Sequence, residues 1–115
     1  MDYTAVYLAL ATCGGIGLLV TALAIPLAKG KINRNQWYGF RTPRTLSSDE
    51  IWFPANRLAG GNMIVAGVLV MITAVTLFFL KGLLPVPATV LTMASVTFLA
   101  IVASVVKSFL ALRKM

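Results

Sequence analysis

The sequence has no histidine, only three acidic residues and only one cysteine, Cys13. Histidine is the side chain that most often acts as a general base or binds a metal near neutral pH. One cysteine cannot form a disulfide within the chain, and it cannot supply the several thiolates of a typical structural zinc site. We therefore expect no catalytic residues, no metal site and no cofactor, and we interpret Cys13 as a small apolar packing residue.

Charge of either sign is scarce as well. Charged residues make up 11% of the 115 residues, hydrophobic residues make up 59%, and the mean hydropathy is +0.90. Ordinary soluble domains carry roughly a quarter charged residues. Three apolar runs, at about 3–28, 58–80 and 83–106, each reach the roughly 20 residues that cross a bilayer as a helix. The sequence therefore predicts an all-α membrane protein with three transmembrane helices in one domain, residues 1–115.

The distribution of the basic residues predicts the orientation of the chain. With three spans, the N-terminus and the 81–87 turn share one side of the membrane, and this side holds only Lys81. The side that carries most Lys and Arg is normally cytoplasmic. We expect the N-terminus outside, and the C-terminus and the long loop in the cytoplasm, close to anionic lipid and without direct binding of nucleic acid. The cytoplasmic basic residues would be Lys29, Lys31, Arg34, Arg41, Arg44, Arg57, Lys107, Arg113 and Lys114.

Small residues at four-residue spacing suggest where the helices pack. Ala11 and Gly15 form one such pair, and Ala100, Ser104 and Ser108 form a longer series on the third span. Small side chains let helix backbones approach closely in lipid. Ordinary membrane composition explains the same spacing equally well, so both interpretations stay open.

The segment 33–60 is the least apolar part of the chain. Trp37, Tyr38 and Phe40 surround Gly39, which could provide a backbone turn that bulkier residues resist. Such rings suit the headgroup layer of a membrane, as an interfacial anchor. The alternative interpretation is that they form the wall of a cytoplasmic binding pocket.

Polar residues follow these aromatics. Thr42 precedes a proline and is therefore biased to an extended backbone, which would hold Arg41 ready to bind a carboxylate or a phosphate. Ser47 and Glu50 have the spacing of a helix capping box. Asp49 and Glu50 would lie in the first turn of this helix, where its dipole favours negative charge. The alternative role of these two acids is an ion pair of one of them with Arg41 or Arg57, which would close the loop.

Pro54 should interrupt the helix that starts at this cap, because proline lacks the N–H that would bond to Glu50. We expect a short interfacial turn, a bend near Pro54 and then the second span. Beyond the bend, Asn56, Arg57 and Gly60 fall on or near one helix face. The Asn56 amide can donate and accept, which suits the joining of two loop segments.

These residues form a composite pattern, Asn35-x-Trp37-Tyr38-Gly39-Phe40-Arg41-Thr42-x-x-Thr45 and then Trp52-x-x-Ala55-Asn56-Arg57-x-x-Gly60. The pattern and the three-helix plan around it resemble the SdpI/YfhL family. The resemblance implies a multi-pass protein of the bacterial cytoplasmic (inner) membrane, related to immunity factors against a secreted toxin. The founding member also recruits its repressor to the membrane, but it has additional N-terminal spans that this sequence does not show.

We therefore expect an immunity or receptor factor that binds a peptide or protein toxin or a cytoplasmic regulator, with arginine and asparagine holding the loop together. One alternative is an accessory subunit of a larger membrane complex, and another is a small oligomeric pore or transporter. An enzyme is not expected, because no acid–base pair is evident. The candidate binding residues in the loop are Trp37, Tyr38, Gly39, Arg41, Thr42, Thr45, Trp52, Asn56, Arg57 and Gly60.

Overall fold

A computed structural model describes residues 2–115 and consists of three long α-helices and one 3-10 turn. The helices are α1 (Thr4–Ala28), α2 (Asp49–Leu80) and α3 (Val86–Leu112), and the 3-10 turn (Thr45–Ser47) lies between α1 and α2. Each α-helix is long and apolar enough to cross a membrane. This confirms the all-α class with three candidate membrane spans. The helix α2 packs against both of the others, and α1 also contacts α3.

The end of α1 is a Schellman motif. Gly30 has a φ of +70°, a conformation that glycine adopts without steric cost. Its N–H donates to the carbonyl of Leu27 at 3.1 Å, and the N–H of Lys31 donates to that of Pro26 at 3.0 Å. These two bonds pair the last carbonyls of the helix and turn the chain away from its axis.

The start of α2 differs from the predicted capping box. Its N-cap is Ser48 rather than Ser47, and no side-chain bond caps the helix. The Ser47 hydroxyl instead donates to the carbonyl of Arg44 at 2.5 Å, because Ser47 ends the preceding 3-10 turn. Asp49 and Glu50 do lie in the first turn of α2, where negative charge is favourable.

The helix α2 also continues through Pro54, so the predicted division into a short turn and a separate span is wrong. Pro54 lies close to the exposed N-terminal end of α2, where loss of one backbone bond is less costly than in the buried middle of a helix. The segment 33–60 is consequently loop only as far as Ser48, and its second part is helical. A helix of this length is about 48 Å long, and it exceeds the roughly 30 Å hydrocarbon layer.

The predicted helical hairpin of α2 and α3 is confirmed. The two helices are joined by a short turn, and Pro85 is the N-cap of α3, with Pro87 in its first turn. In that turn Lys81 places its ammonium 4.1 Å from the centre of the Phe78 ring. This favourable cation–ring contact lies at the end of the bundle opposite the long loop.

Glycines set the closest approach between α1 and α2. A Cβ added to Gly67 would lie 2.7 Å from the carbonyl oxygen of Gly17, and one added to Gly60 would lie 2.6 Å from the backbone N of Ala28. Ala11 and Gly15, which the packing interpretation paired, do not pack against another helix of the bundle, because both are exposed and a Cβ at Gly15 would meet no atom within 4 Å outside the backbone of its own helix. The glycines that permit close packing of α1 and α2 are instead Gly17, Gly60 and Gly67.

The small residues of α3 do face a neighbouring helix. Ser104 and Ser108 are buried, which agrees with the packing interpretation of this series. The Ser108 hydroxyl accepts a hydrogen bond from the amide of Asn62 at 3.1 Å, and the Ser104 hydroxyl donates to the sulfur of Met63 at 2.9 Å. Polar side chains therefore join α2 to α3 within the apolar bundle.

Candidate functional site

The loop between α1 and α2, residues 29–48, folds back onto the ends of the helices. Trp52, in the first turns of α2, is completely buried beneath it. The indole Nε1–H of Trp52 donates to the carbonyl of Ile32 at 2.8 Å, so the polar edge of the ring is satisfied. One arm of the loop is thereby fixed to α2.

Asn56, one turn further along α2, fixes the other arm. Its Oδ1 accepts from the N–H of Phe40 at 2.6 Å, and its Nδ2 donates to the carbonyl of Phe40 at 3.3 Å and to that of Trp52 at 3.0 Å. Asn56 is 2% exposed, so the amide replaces water as the partner of the Phe40 backbone. In this structure the Asn56 amide uses both its donor and its acceptor to join α2 to the loop at Phe40. We call Trp52 and Asn56 the loop anchor.

The close contact between the loop and the loop anchor requires a glycine at position 39. It has a φ of +115°, which strongly disfavours any residue with a side chain. A Cβ at this position would also lie 2.7 Å from the Oδ1 of Asn56 and 3.2 Å from the Cη2 of Trp52. The predicted backbone turn at Gly39 is therefore present, and it brings the chain into direct contact with the loop anchor.

Asn35 shapes the first arm of the loop. Its Oδ1 accepts from the N–H groups of Trp37 and Tyr38 at 2.8 and 2.7 Å, and its Nδ2 donates to the carbonyls of Asn33 and Tyr38 at 2.7 and 3.1 Å. The hydroxyl of Tyr38 donates to the carbonyl of Leu23 in α1. Asn35 was missing from the candidate binding residues, although its position between two loop segments follows the same donor-and-acceptor pattern as Asn56.

Thr42 and Thr45 close the second arm. The N–H of Thr42 donates to the Oγ1 of Thr45 at 2.7 Å, and the N–H of Thr45 donates to the Oγ1 of Thr42 at 3.1 Å. Thr45 is completely buried. This reciprocal pair starts the 3-10 turn and gives both threonines a structural role.

The arginines are arranged differently from the prediction. Arg41 is exposed, and its Nη1 donates to the carbonyl of Gln36 within the loop. The ion pair in the described residues 2–115 joins Arg34 to Asp49 at 3.7 Å, and it lies on the surface. Within residues 2–115, the alternative ion pair between an acid and Arg41 or Arg57 is not formed, because Asp49 lies beside Arg34 instead.

Arg57 and Gly60 lie on α2 beside the end of α1. The guanidinium of Arg57 lies over Gly30, since a Cβ added there would be 2.7 Å from the Nε and Nη2 of Arg57. Gly60 is buried in the α1–α2 crossing described above. Both residues therefore contact the loop end of α1, and Gly60 acts in helix packing.

The exposed side chains of the loop form a separate group. Trp37 is 89% exposed, and Arg41 and Arg44 are exposed beside it in the sequence. Nη2 of Arg44 donates to the carbonyl of Met115. We call Trp37, Arg41 and Arg44 the loop face. The candidate residues thus divide into those that hold the loop and those that the loop presents.

A cavity of about 310 Å³ lies between the loop, the end of α1, the middle of α2 and the last turns of α3. The Phe40 and Phe109 rings meet edge to face beside it, with centres 5.0 Å apart and an interplanar angle of 76°. Its lining residues are Leu27, Gly39, Phe40, Arg41, Ala59, Met63, Val105, Ser108 and Phe109. The lining is mainly apolar, and Arg41 is its one charged residue. Within residues 2–115, no group of three or more potential metal-binding side chains is present.

Comparison with known proteins matches most of this architecture to one family. The family model described as "SdpI/YfhL protein family" matches residues 31–108, which include most of the loop, all of α2 and most of α3. The uncharacterised protein YfhL of Bacillus subtilis (strain 168) is 31% identical over 83 residues, which are 69% of this chain and 74% of YfhL. No solved structure matches the chain.

Proposed function

The chain belongs to the SdpI/YfhL family, and from this premise we propose that it is an immunity or receptor factor of the bacterial cytoplasmic membrane. It protects the cell against a secreted toxin or recruits a regulator. In this proposal the loop face binds the peptide or protein partner. The observation that carries the proposal is the fixed loop, which presents Trp37, Arg41 and Arg44 while Trp52 and Asn56 hold it from beneath.

A fixed loop supports binding because less conformational entropy is lost when a partner orders it. Exposed Trp and Arg are the residue types most often found to dominate binding energy at protein interfaces. Trp37 is held by the Asn35 turn rather than by burial, so its ring is available to a partner. The same ring could also rest in the headgroup layer, and the experiment below separates these two roles.

Orientation belongs to the proposal as well. The loop end of the bundle holds nine of the ten Lys and Arg residues, which supports a cytoplasmic loop. The molecule is 55 Å long, longer than the roughly 30 Å hydrocarbon layer. One or both ends therefore extend into the headgroup layer or beyond, where a regulator could reach the loop face.

The experiment is expression of the chain in a bacterium that is sensitive to a secreted toxin of the family's type. We expect the parent to protect the cells. A double variant, Trp37→Ala with Arg44→Ala, should lose protection at an equal amount of protein in the membrane. Trp37→Tyr with Arg44→Lys retains interfacial anchoring and charge, so its failure to protect would favour specific recognition over anchoring.

The control is Leu83→Ala, which changes an exposed apolar residue at the opposite end of the bundle. It should protect as well as the parent. Failure of the parent to protect would contradict the immunity role, whereas full protection by the double alanine variant would contradict the role of the loop face.

A further inference from the structure

We propose that the cavity between the loop and α3 binds part of one acyl chain of an anionic phospholipid, with Arg41 binding the phosphate of that lipid. This site shares Arg41 with the loop face but differs from it in its cavity and in its ligand, and it does not rest on an immunity role. The relevant observations are an apolar cavity, an arginine among its lining residues and a strongly basic end of the bundle.

The cavity suits a lipid chain by its walls and its location. Its volume of about 310 Å³ is at the lower limit of roughly 300–1,000 Å³ for small-molecule sites. This accommodates a segment of a chain rather than a whole lipid. Val105 and Phe109 line the cavity and are also partly exposed, by 41% and 46% respectively, on the outer side of α3. The cavity therefore adjoins the helix surface that would face the hydrocarbon.

Arg41 has the chemistry for the phosphate. Its Nη1 donates a hydrogen bond to the carbonyl of Gln36, and an arginine side chain has five N–H donors in all. Among the described residues, Arg41 forms no ion pair. Arginine binds phosphate oxygens through two parallel N–H bonds, so the remaining donors can hold a headgroup while its chain enters the cavity.

Charge favours an anionic headgroup. At the loop end, nine basic side chains face only two carboxylates, those of Asp49 and Glu50. The opposite end has Lys81 and Asp2, whose charges cancel. Clusters of basic residues next to a membrane attract anionic lipid. A protein partner would have to reach a cavity that adjoins the membrane-facing surface of α3, so we favour a lipid.

Trp52 provides a reporter for the test. Its ring lies close behind Gly39, which lines the cavity, and the chain has only one other tryptophan, Trp37. In a Trp37→Phe background, bromine atoms on a lipid chain in the cavity should quench the fluorescence of Trp52. The full chain is reconstituted in vesicles with increasing fractions of brominated phosphatidylglycerol or brominated phosphatidylcholine.

The measurements are made at about 0.5 M salt, where the screening length is short and distant charges contribute little. We expect half-maximal quenching at a several-fold lower fraction of phosphatidylglycerol than of phosphatidylcholine. Arg41→Gln should raise the required fraction of phosphatidylglycerol about five- to tenfold, from the loss of charge-assisted bonds. Arg113→Gln removes an equal charge at an exposed residue that does not line the cavity, and it should leave this fraction nearly unchanged.

A second pair of variants tests the acyl chain. Val105→Phe fills the cavity and should reduce the maximal quenching. Val102→Phe adds the same ring one turn earlier on α3, at a residue that does not line the cavity, and it should have little effect. Equal effects within either pair of variants would overturn the site, and equal quenching by the two lipids would overturn the choice of an anionic headgroup.

Discussion

The side-chain amide of Asn56 and the backbone of Phe40 form two reciprocal hydrogen bonds, at 2.6 and 3.3 Å, across 16 positions of the sequence. One residue belongs to the helix α2 and the other to the loop. The bonds couple them in the way that neighbouring strands are coupled, although the residues 2–115 contain no strand. The conformation of the loop therefore depends on a side chain of the helix, and this can be tested.

Asn56→Ala should destabilise the loop. It leaves the N–H and the carbonyl of Phe40 without their side-chain partner, and an unpaired buried backbone group costs about 1–3 kcal/mol. We expect a loss of about 3 kcal/mol in the free energy of unfolding in detergent, and faster trypsin cleavage at Arg41 and Arg44. Asn33→Ala, at an exposed residue, is the control, and equal cleavage rates for both variants would contradict the role of Asn56.

Gly39→Ala should be as damaging as the loss of Asn56. The alanine would have to adopt a φ of +115°, and its Cβ would lie 2.7 Å from the Oδ1 of Asn56. Such backbone strain together with overpacking costs about 2 kcal/mol or more. Gly82→Ala, in the opposite turn, places its Cβ no closer than 3.7 Å to an atom outside that turn. A comparison of their midpoints of thermal unfolding should show a decrease for Gly39→Ala only.

Replacing each of two adjacent glycines of α2 by alanine should change the stability of the protein in opposite directions. Gly60→Ala forces the backbones of α1 and α2 apart and should cost about 1–3 kcal/mol. In Gly61→Ala, the added Cβ would meet no atom within 4 Å outside the backbone of its own helix. This substitution should therefore stabilise the helix by up to about 1 kcal/mol. Chemical unfolding in detergent measures both changes, and a destabilising Gly61→Ala would show that this face of α2 is packed in the native protein.

The proposed orientation predicts which residues a membrane-impermeant thiol reagent can reach. In a Cys13→Ser background, Leu83→Cys should be labelled in intact spheroplasts, because it is exposed in the turn between α2 and α3. Trp37→Cys, in the loop, should be labelled only after the membrane is permeabilised. The reverse pattern would place the loop outside the cell.

Much of the fold follows from the sequence because its causes are local. The three apolar runs, the hairpin at Pro85 and the stop at Gly30 depend on hydrophobicity and on backbone restrictions within a few residues. The prediction for the start of α2 is wrong because Pro54 leaves only the carbonyl of Glu50 without its helical partner, and Glu50 is exposed, so water can replace that bond. Periodicity of apolar residues does not show this.

The loop contacts were harder to predict, because they join residues far apart in the sequence. The donors and acceptors of Asn56 indicated that it could join two segments, but nothing local specified Phe40 as its partner. The same limit applies to Arg41, which bonds to Gln36 rather than to an acid. The cavity beside Phe109 arises from three helices and the loop together, so no short motif could indicate it.

The most direct test of the account is whether the loop anchor is needed for protection, since it fixes to α2 both arms of the loop that carries the loop face. Cells that express Asn56→Ala should lose most of the protection against toxin that the parent gives, at equal amounts of protein in the membrane. Cells that express Asn33→Ala should keep it. Full protection by Asn56→Ala, with its loop shown to be sensitive to trypsin, would contradict the proposal that a fixed loop performs the function.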